Sequence, residues 1–378
     1  MNTHINSPLS TRKIAITHDF LREYGGAERV VEALHAMFPR APLYTAFVDK
    51  QAMGKQWHRF ADWEIRTTWA SRIPFITKLY SPLRVLADKF FESLDLSEYD
   101  VVISSTNMYM AKGVRIAPHA IHVCYCHTPP RSLYGYTTMT NWKKNPIVRV
   151  FGELLNHYMR IVDFKTAQLP TQFVANSKEV QKRITKFYRR DSVVIYPPIQ
   201  VPKILRDVQK DNFCLFVGRL AASKHVDVVV RACTTMNMPL KIVGSGNPLE
   251  YLKSIAGPSV EFLGSVSDDV LNDLYAKAKM VIYPAEDEDF GMIPVEAMAY
   301  GTPVIVHRSG GFLESVVEGK TGLFIDDFSD ATMIKAITLC ANMKWDAQAL
   351  HRHAQRFSVE RFEKEIAALI ETLLRDRS

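Results

Sequence analysis

A chain of 378 residues is long enough for two domains, each with its own core. Hydrophobic residues make up 47% and charged residues 23%, the balance of an ordinary folded protein, and no apolar run reaches the roughly 18 residues that a membrane-crossing helix needs. The formal net charge of +7 suggests attraction to phosphates or a membrane surface; nucleic acid falls in rank because no zinc-finger spacing, helix-turn-helix pattern or RNP-type motif accompanies it.

The N-terminus, MNTHINSPLSTRKIAI, lacks the pattern of a signal peptide and reads as a loose tail before a first strand. Lys13–His18 (KIAITH) is predicted as that strand and Gly26–Phe38 as the helix after it. Val101–Ser105 and His122–Tyr125 read as strands, as does Phe173–Asn176, with Ser177 as N-cap of a helix over Lys178–Tyr188. Tyr196-Pro197-Pro198 marks a hinge, since two prolines block a helix and stiffen an extended crossing. Beyond it, strands are predicted at Phe213–Val217, Leu240–Val243, Val260–Leu263, Met280–Tyr283, Pro303–Val306 and Gly322–Ile325, with helices between. Such alternation is the mark of parallel α/β layers, here two Rossmann-like units in tandem. A last helix, Val359–Leu374, sets Phe362, Ile366, Leu369, Ile370 and Leu373 on one face, which must pack on something.

The five cysteines, Cys124, Cys126, Cys214, Cys233 and Cys340, are odd in number and scattered, which fits a reducing cytosol better than a disulfide framework. Cys124 and Cys126 alternate on a predicted strand and are expected on opposite faces, which argues against a shared metal site.

Several strand ends carry residues suited to a ligand. Gly25-Gly26, between the first strand and its helix, either lets a phosphate or sugar approach the backbone or simply makes a tight turn. Arg219 and Lys224, after Phe216-Val-Gly, either converge on a diphosphate or are solvated surface charge. Val243–Asn247 (VGSGN) is only a fragment of GxGxxG, a weak nicotinamide fingerprint. His127, in Cys126-His-Thr-Pro-Pro-Arg131, stands either against a bound group or in a structural role. Asp19 is equally open between site, turn and cap. In Glu286–Ile305 (EDEDFGMIPVEAMAYGTPVI), Glu288 and Glu296 either offset a helix dipole or grip the hydroxyls of a ligand.

Together these segments resemble the family 4 retaining glycosyltransferases of the GT-B fold, over nearly the whole chain. The specific elements are Glu288-x7-Glu296 followed by Ser309-Gly-Gly311 and Glu314, then Val217-Gly-Arg219 with Lys224, and Gly25-Gly26 followed by Glu28. The resemblance implies two Rossmann-like domains facing across a cleft: an acceptor-side domain over 1–197, a nucleotide-sugar domain over 198–357, and a C-terminal helix over 358–378 packing back toward the first. It implies that Arg219 and Lys224 bind the donor diphosphate, Glu296 the ribose and Glu288 the transferred sugar. Backbone N–H groups of Phe290, Gly291 and Met292 would face sugar or phosphate, Gly264 would lie near the base, Gly25 and Gly26 would close over the diphosphate, and His127 would lie by the donor sugar. Catalysis would fall to His127, Glu288, Arg219 and Lys224, with no cofactor and no tightly bound metal.

The motifs His18-Asp-Phe-Leu, Gly-Gly-Ala-Glu-Arg and Cys126-His-Thr-Pro-Pro-Arg look most like bacterial O-antigen and exopolysaccharide mannosyltransferases. That implies GDP-mannose as donor, with a UDP-hexose as the alternative. The acceptor implied is a polyprenyl-diphosphate-linked glycan at the inner face of the inner membrane. Trp57–Phe91 interleaves Trp57, Trp63, Trp69, Phe75 and Tyr80 with six basic residues, which suits either a peripheral membrane contact or an ordinary core with a solvated basic face. Competing readings are another enzyme of the same fold, such as an epimerase or phosphorylase, a non-catalytic nucleotide-sugar-binding protein, and a nicotinamide dehydrogenase.

Overall fold

The computed structural model describes residues 8–136 and 146–377. Two units divide them: residues 8–136, 146–198 and 360–377 form the first, and 199–359 form the second.

The first unit contains, in chain order, β1 (Ile14–His18), β2 (Leu43–Thr45), β3 (Ile65–Thr67), β4 (Asp95–Leu96), β5 (Val101–Thr106), β6 (Arg115–Ile116), β7 (Ile121–Cys126), β8 (Gln172–Ala175) and β9 (Ser192–Val194). Seven of these form a sheet in the order β3-β2-β1-β5-β7-β8-β9, with β4 and β6 paired apart from it. Every pairing is parallel. β1, β5 and β7 are buried at every position, as strands covered on both faces must be, and this is why they read as near-continuous apolar runs. The short strands β2, β3 and β9 escaped the sequence reading.

Helix Gly26–Met37 buries Val30, Val31 and Leu34 against the sheet. Helix Lys178–Tyr188 begins as expected, with Ser177 Oγ accepting from the Val180 N–H at 3.0 Å. The last helix, Val359–Arg375, buries Phe362, Ile366 and Ile370 in the same core as Ile14, Ile16 and Ile103. Its seam of residues four apart therefore closes one face of the first unit.

One expectation needs correction. Cys124 and Cys126 point to the same face of β7, not opposite ones: both pack with Phe173, Ala175 and Val180, while Tyr125 between them packs in a different cluster. A strand repeats every second residue, so positions two apart share a face. In the aromatic stretch, Trp57 and Trp63 pack against the core, Trp63 stacking on His35 with ring centroids 3.8 Å apart, and Tyr80 packs in a second cluster. Only Trp69 and Phe75 stay exposed, Phe75 at 71%. Several of the basic residues are also engaged, Arg59 with Glu32 at 3.1 Å and Arg84 with Asn156 at 3.1 Å.

The second unit contains β10 (Cys214–Val217), β11 (Leu240–Val243), β12 (Val260–Gly264), β13 (Met280–Tyr283), β14 (Val304–His307) and β15 (Gly322–Ile325), parallel throughout, in the order β12-β11-β10-β13-β14-β15. In both sheets the chain starts in the middle and builds outward in both directions. The order reverses between β1 and β5 in one unit and between β10 and β13 in the other. Ligands of open α/β sheets bind at the carboxyl ends of the strands beside such reversals.

Candidate functional site

In the second unit the switch point is built from glycines. Gly218, at φ 137°, follows β10, and a Cβ on Gly244 would stand 1.9 Å from the Gly218 carbonyl oxygen. The two strand-end turns therefore touch backbone to backbone, and Val243–Asn247 serves that contact. Arg219 follows as an exposed residue. A short turn over Ala222–Lys224 then brings Lys224 back to β13.

There Lys224 Nζ donates to Glu288 Oε2 at 2.5 Å and lies 5.1 Å from the centroid of the Tyr283 ring. Burial weakens the charge on Lys224, but Glu288 outweighs it, and the ammonium's pKa stands above the ordinary lysine value. Burial, with the Glu288 charge second, pushes the Tyr283 phenol up to about 12. The loop carrying Glu288 is held by backbone: the Gly311 N–H donates to the Glu288 carbonyl at 2.9 Å, and a Cβ on Gly310 would stand 2.2 Å from that oxygen. Ser309-Gly-Gly311 is thus a brace under the acidic loop.

Gly291, at φ 84°, caps helix Met292–Ala299, and a side chain there would strike the Phe312 ring. Phe290 is buried and packs on Phe357 with centroids 5.3 Å apart. The helix has no acid in its first turn. Glu296 lies beyond that turn, which removes the reading of Glu296 as an acid serving its dipole. Glu296 is 7% exposed and accepts from the Tyr275 O–H at 2.9 Å, a partner the sequence did not reveal. Gly264, at φ 65°, ends β12 beside open space, and its carbonyl accepts the Gly244 N–H at 2.8 Å.

The switch point of the first unit is a buried hydrogen-bond network. Gly25 caps helix Gly26–Met37, and its N–H donates to Glu28 Oε2 at 2.8 Å. The other Glu28 oxygen faces His18 Nε2 at 3.4 Å. His18 Nδ1 lies 3.1 Å from Ser105 Oγ and 3.2 Å from the Ser105 carbonyl oxygen. Ser105 Oγ in turn stands 2.8 Å from His127 Nε2. Gly25 and His127, found separately in the sequence, are joined by Glu28, His18 and Ser105, none of which had been assigned a role. Gly26 is exposed at the helix start.

Burial opposes charge on His18, yet Glu28 prevails and the imidazole's pKa is raised. For His127 burial dominates, with the His18 charge adding to it, and the pKa falls to about 4. Asp19 has a structural task. Its carboxylate accepts from Thr106 Oγ1 and from the Asn107, Met108 and Ala111 N–H groups at 2.6–3.0 Å, pinning the loop after β5. Among the described residues no cluster of His, Cys, Asp or Glu could hold a metal ion.

Two parallel Rossmann-like units with glycine turns at their switch points constitute the GT-B fold, and solved structures agree. The Anabaena protein HepE, crystallised in complex with UDP-glucose, matches 96% of this chain and all of its own at a TM-score of 0.65 and 19% identity. Residues 200–357 match the family described as glycosyl transferases group 1. An uncharacterized glycosyltransferase of Methanocaldococcus jannaschii is 27% identical over 191 residues, 50% of this chain and 54% of that one. A GDP-mannose-dependent alpha-mannosyltransferase of Corynebacterium glutamicum is 34% identical over 132 residues, 34% of this chain and 30% of that one. The chain spans about half or less of the length of the curated relatives it matches.

Proposed function

We propose that the protein is a retaining, metal-independent glycosyltransferase that moves a hexose from a nucleotide diphosphate donor. The observation that carries this reading is the Lys224–Glu288 pair beside Tyr283 at the switch point of the second unit, with Glu296 buried on the following helix. In this reading the bond between the anomeric carbon and the phosphate oxygen breaks, positive charge grows on the ring, and negative charge grows on the leaving diphosphate. Lys224 and Arg219 stabilise that diphosphate, while Glu288 and Glu296 accept hydrogen bonds from sugar and ribose hydroxyls. Backbone N–H groups at Phe290, Gly291 and Met292 add donors at a helix start. With retention, the acceptor hydroxyl attacks on the face the diphosphate leaves, and its proton passes to that phosphate.

GDP-mannose is the donor this reading favours, on the sequence motifs and on the likeness to the Corynebacterium mannosyltransferase. A UDP-hexose is the second reading, favoured by the fold shared with HepE. The acceptor proposed is a lipid-linked glycan in cell-surface polysaccharide assembly, at the cytoplasmic face of the inner membrane. Exposed Trp69 and Phe75 near Arg72 and Lys78 support such a peripheral contact. No described helix is long and apolar enough to cross a membrane.

The test is thermal stability of the purified chain with GDP, UDP, GDP-mannose and UDP-glucose, because a ligand bound only by the folded state raises Tm. Stabilisation by the guanosine compounds alone is expected. Stabilisation by the uridine compounds alone would overturn the donor and keep the site, whereas a flat response across a wider nucleotide panel would overturn the transferase reading.

A further inference from the structure

The network in the first unit can be solved for its protons. A carbonyl oxygen only accepts, so the contact between His18 Nδ1 and the Ser105 carbonyl requires a proton on Nδ1. Nε2 of the same ring faces the Glu28 carboxylate, which accepts a second proton. His18 is therefore an imidazolium paired with Glu28. Among the described residues the Ser105 hydroxyl, fully buried, has two neighbours, His18 Nδ1 and His127 Nε2. His18 Nδ1 already carries a proton and cannot accept one. The hydroxyl proton has one destination left, Nε2 of His127, which must be bare. A neutral imidazole with a bare Nε2 carries its proton on Nδ1.

We propose that Ser105, oriented by the His18–Glu28 pair, is a positioning residue that locks His127 as the neutral Nδ1–H tautomer, so that near neutrality His127 offers a hydrogen-bond donor to a ligand oxygen and not a cation. His127 keeps 8% of its surface exposed, and among the described residues its ring is held through Nε2. Its backbone is fixed as well, the N–H donating to the Thr106 carbonyl at 3.0 Å and the carbonyl accepting from Asn176 Nδ2 at 2.9 Å. The charged and titratable groups facing the ring are His18 and Asp19 at the end of β1, Glu28 on the first helix, and Tyr125, whose ring centroid is 5.2 Å away on β7. The depressed basicity of His127 and the raised basicity of His18 agree with this assignment. The tautomer stands on hydrogen bonds alone; the use of its N–H at a donor sugar rests on the function proposed above.

The test is nitrogen–proton correlation of the imidazole rings in the ¹⁵N-histidine-labelled full chain, from about pH 5 to 8, with the His127 signals assigned by their loss in His127→Asn. The expected spectrum has Nδ1 of His127 protonated and Nε2 bare throughout, and both His18 nitrogens protonated at neutral pH. In Ser105→Ala, His127 is expected to sample both tautomers and to protonate about one pH unit higher, moving the acid limb of kcat by the same amount with KM for the donor little changed. Ser105→Thr keeps the hydroxyl and is expected to restore both. A wild-type His127 protonated on Nε2 overturns the proposal, even if Ser105→Ala does not fold. So does a Ser105→Ala protein that loses only thermal stability. Failure of the transferase reading would look different: the same ring spectra, with no transfer from any nucleotide sugar.

Discussion

Each unit holds a lysine–carboxylate pair of almost the same length. Lys112 meets Asp163 at 2.6 Å in the first, and Lys224 meets Glu288 at 2.5 Å in the second. Their surroundings differ. The Lys112 and Asp163 side chains are 1% and 0% exposed; those of Lys224 and Glu288 are 16% and 19% exposed. Asp163 is also satisfied by the Tyr134 O–H at 2.8 Å and the Tyr188 O–H at 3.3 Å, and Lys112 sits 5.2 Å from the Tyr188 ring centroid. Nothing is left to offer a ligand. Lys224 and Glu288 are tied to each other and stay within reach of water. Their supporting loop is braced by Gly311, so the side chains can change partners without moving the chain. Burial, more than the pair's chemistry, separates a fastener from a candidate site.

The sharpest way to break that comparison is to remove one partner from each pair. Asp163→Ala strands a buried ammonium, the buried Tyr188 phenol and the partly buried Tyr134 phenol, and is expected to cost about 3–5 kcal/mol of stability. Urea unfolding checks it, and the surviving folded fraction should still be stabilised by donor nucleotide. Lys224→Ala is expected to behave in reverse. Water can reach the remaining carboxylate, so stability should change by about 1 kcal/mol or less. Transfer, in contrast, should fall by about 10²–10³-fold, the size of losing one preorganised donor to a developing oxyanion. Wild-type turnover by Lys224→Ala would demote the half-buried pair to a fastener as well.

How much of this was legible in the sequence follows the range of the interactions. The central strands and the last helix were readable because their signal is local: the buried parallel strands are short runs rich in β-branched residues, and Phe362, Ile366 and Ile370 repeat at helical spacing. β2, β3 and β9 are three residues each, too short for a periodic signal. Of the candidate site, Lys224 and Glu288 were singled out in the sequence, and the structure places their side chains together. Ser105 was invisible because its partner His18 lies 87 positions away and joins it only through the β1–β5 register. Asp19 was left open for the same reason, since the groups its carboxylate holds lie between Thr106, the last residue of β5, and Ala111. The parity error at Cys124 and Cys126 was avoidable, for the strand period alone puts them on one face.

The smallest predicted effect sharpens the comparison through pH. The fold lowers the pKa of His127 to about 4, whereas the unfolded side chain titrates near about 6.5. Between those values the unfolded chain binds a proton that the folded chain does not, so this residue makes stability rise with pH across that window. Buried His122, lowered to about 3, adds a slope of the same sign. His18 acts in the opposite sense. Its raised pKa contributes stability that is fully present below about pH 6.5 and is lost as pH rises through the folded value. Lys224, raised above the ordinary lysine value, stays charged over the whole range and adds no slope. His35, His307 and His353, whose pKa values burial also lowers, add slopes of the same sign as His127, so the first unit's network shares this pH dependence while the Lys224–Glu288 pair takes no part in it. In His127→Asn the fall in Tm between about pH 6.5 and 4 should be shallower than in the wild type, because one of the imidazoles that burial keeps neutral is gone, while Lys224→Ala should keep the wild-type slope. An unchanged slope in His127→Asn would mean that His127 protonates as readily in the folded chain as in the unfolded one, and the hydroxyl of Ser105 could not then be pointing at its Nε2.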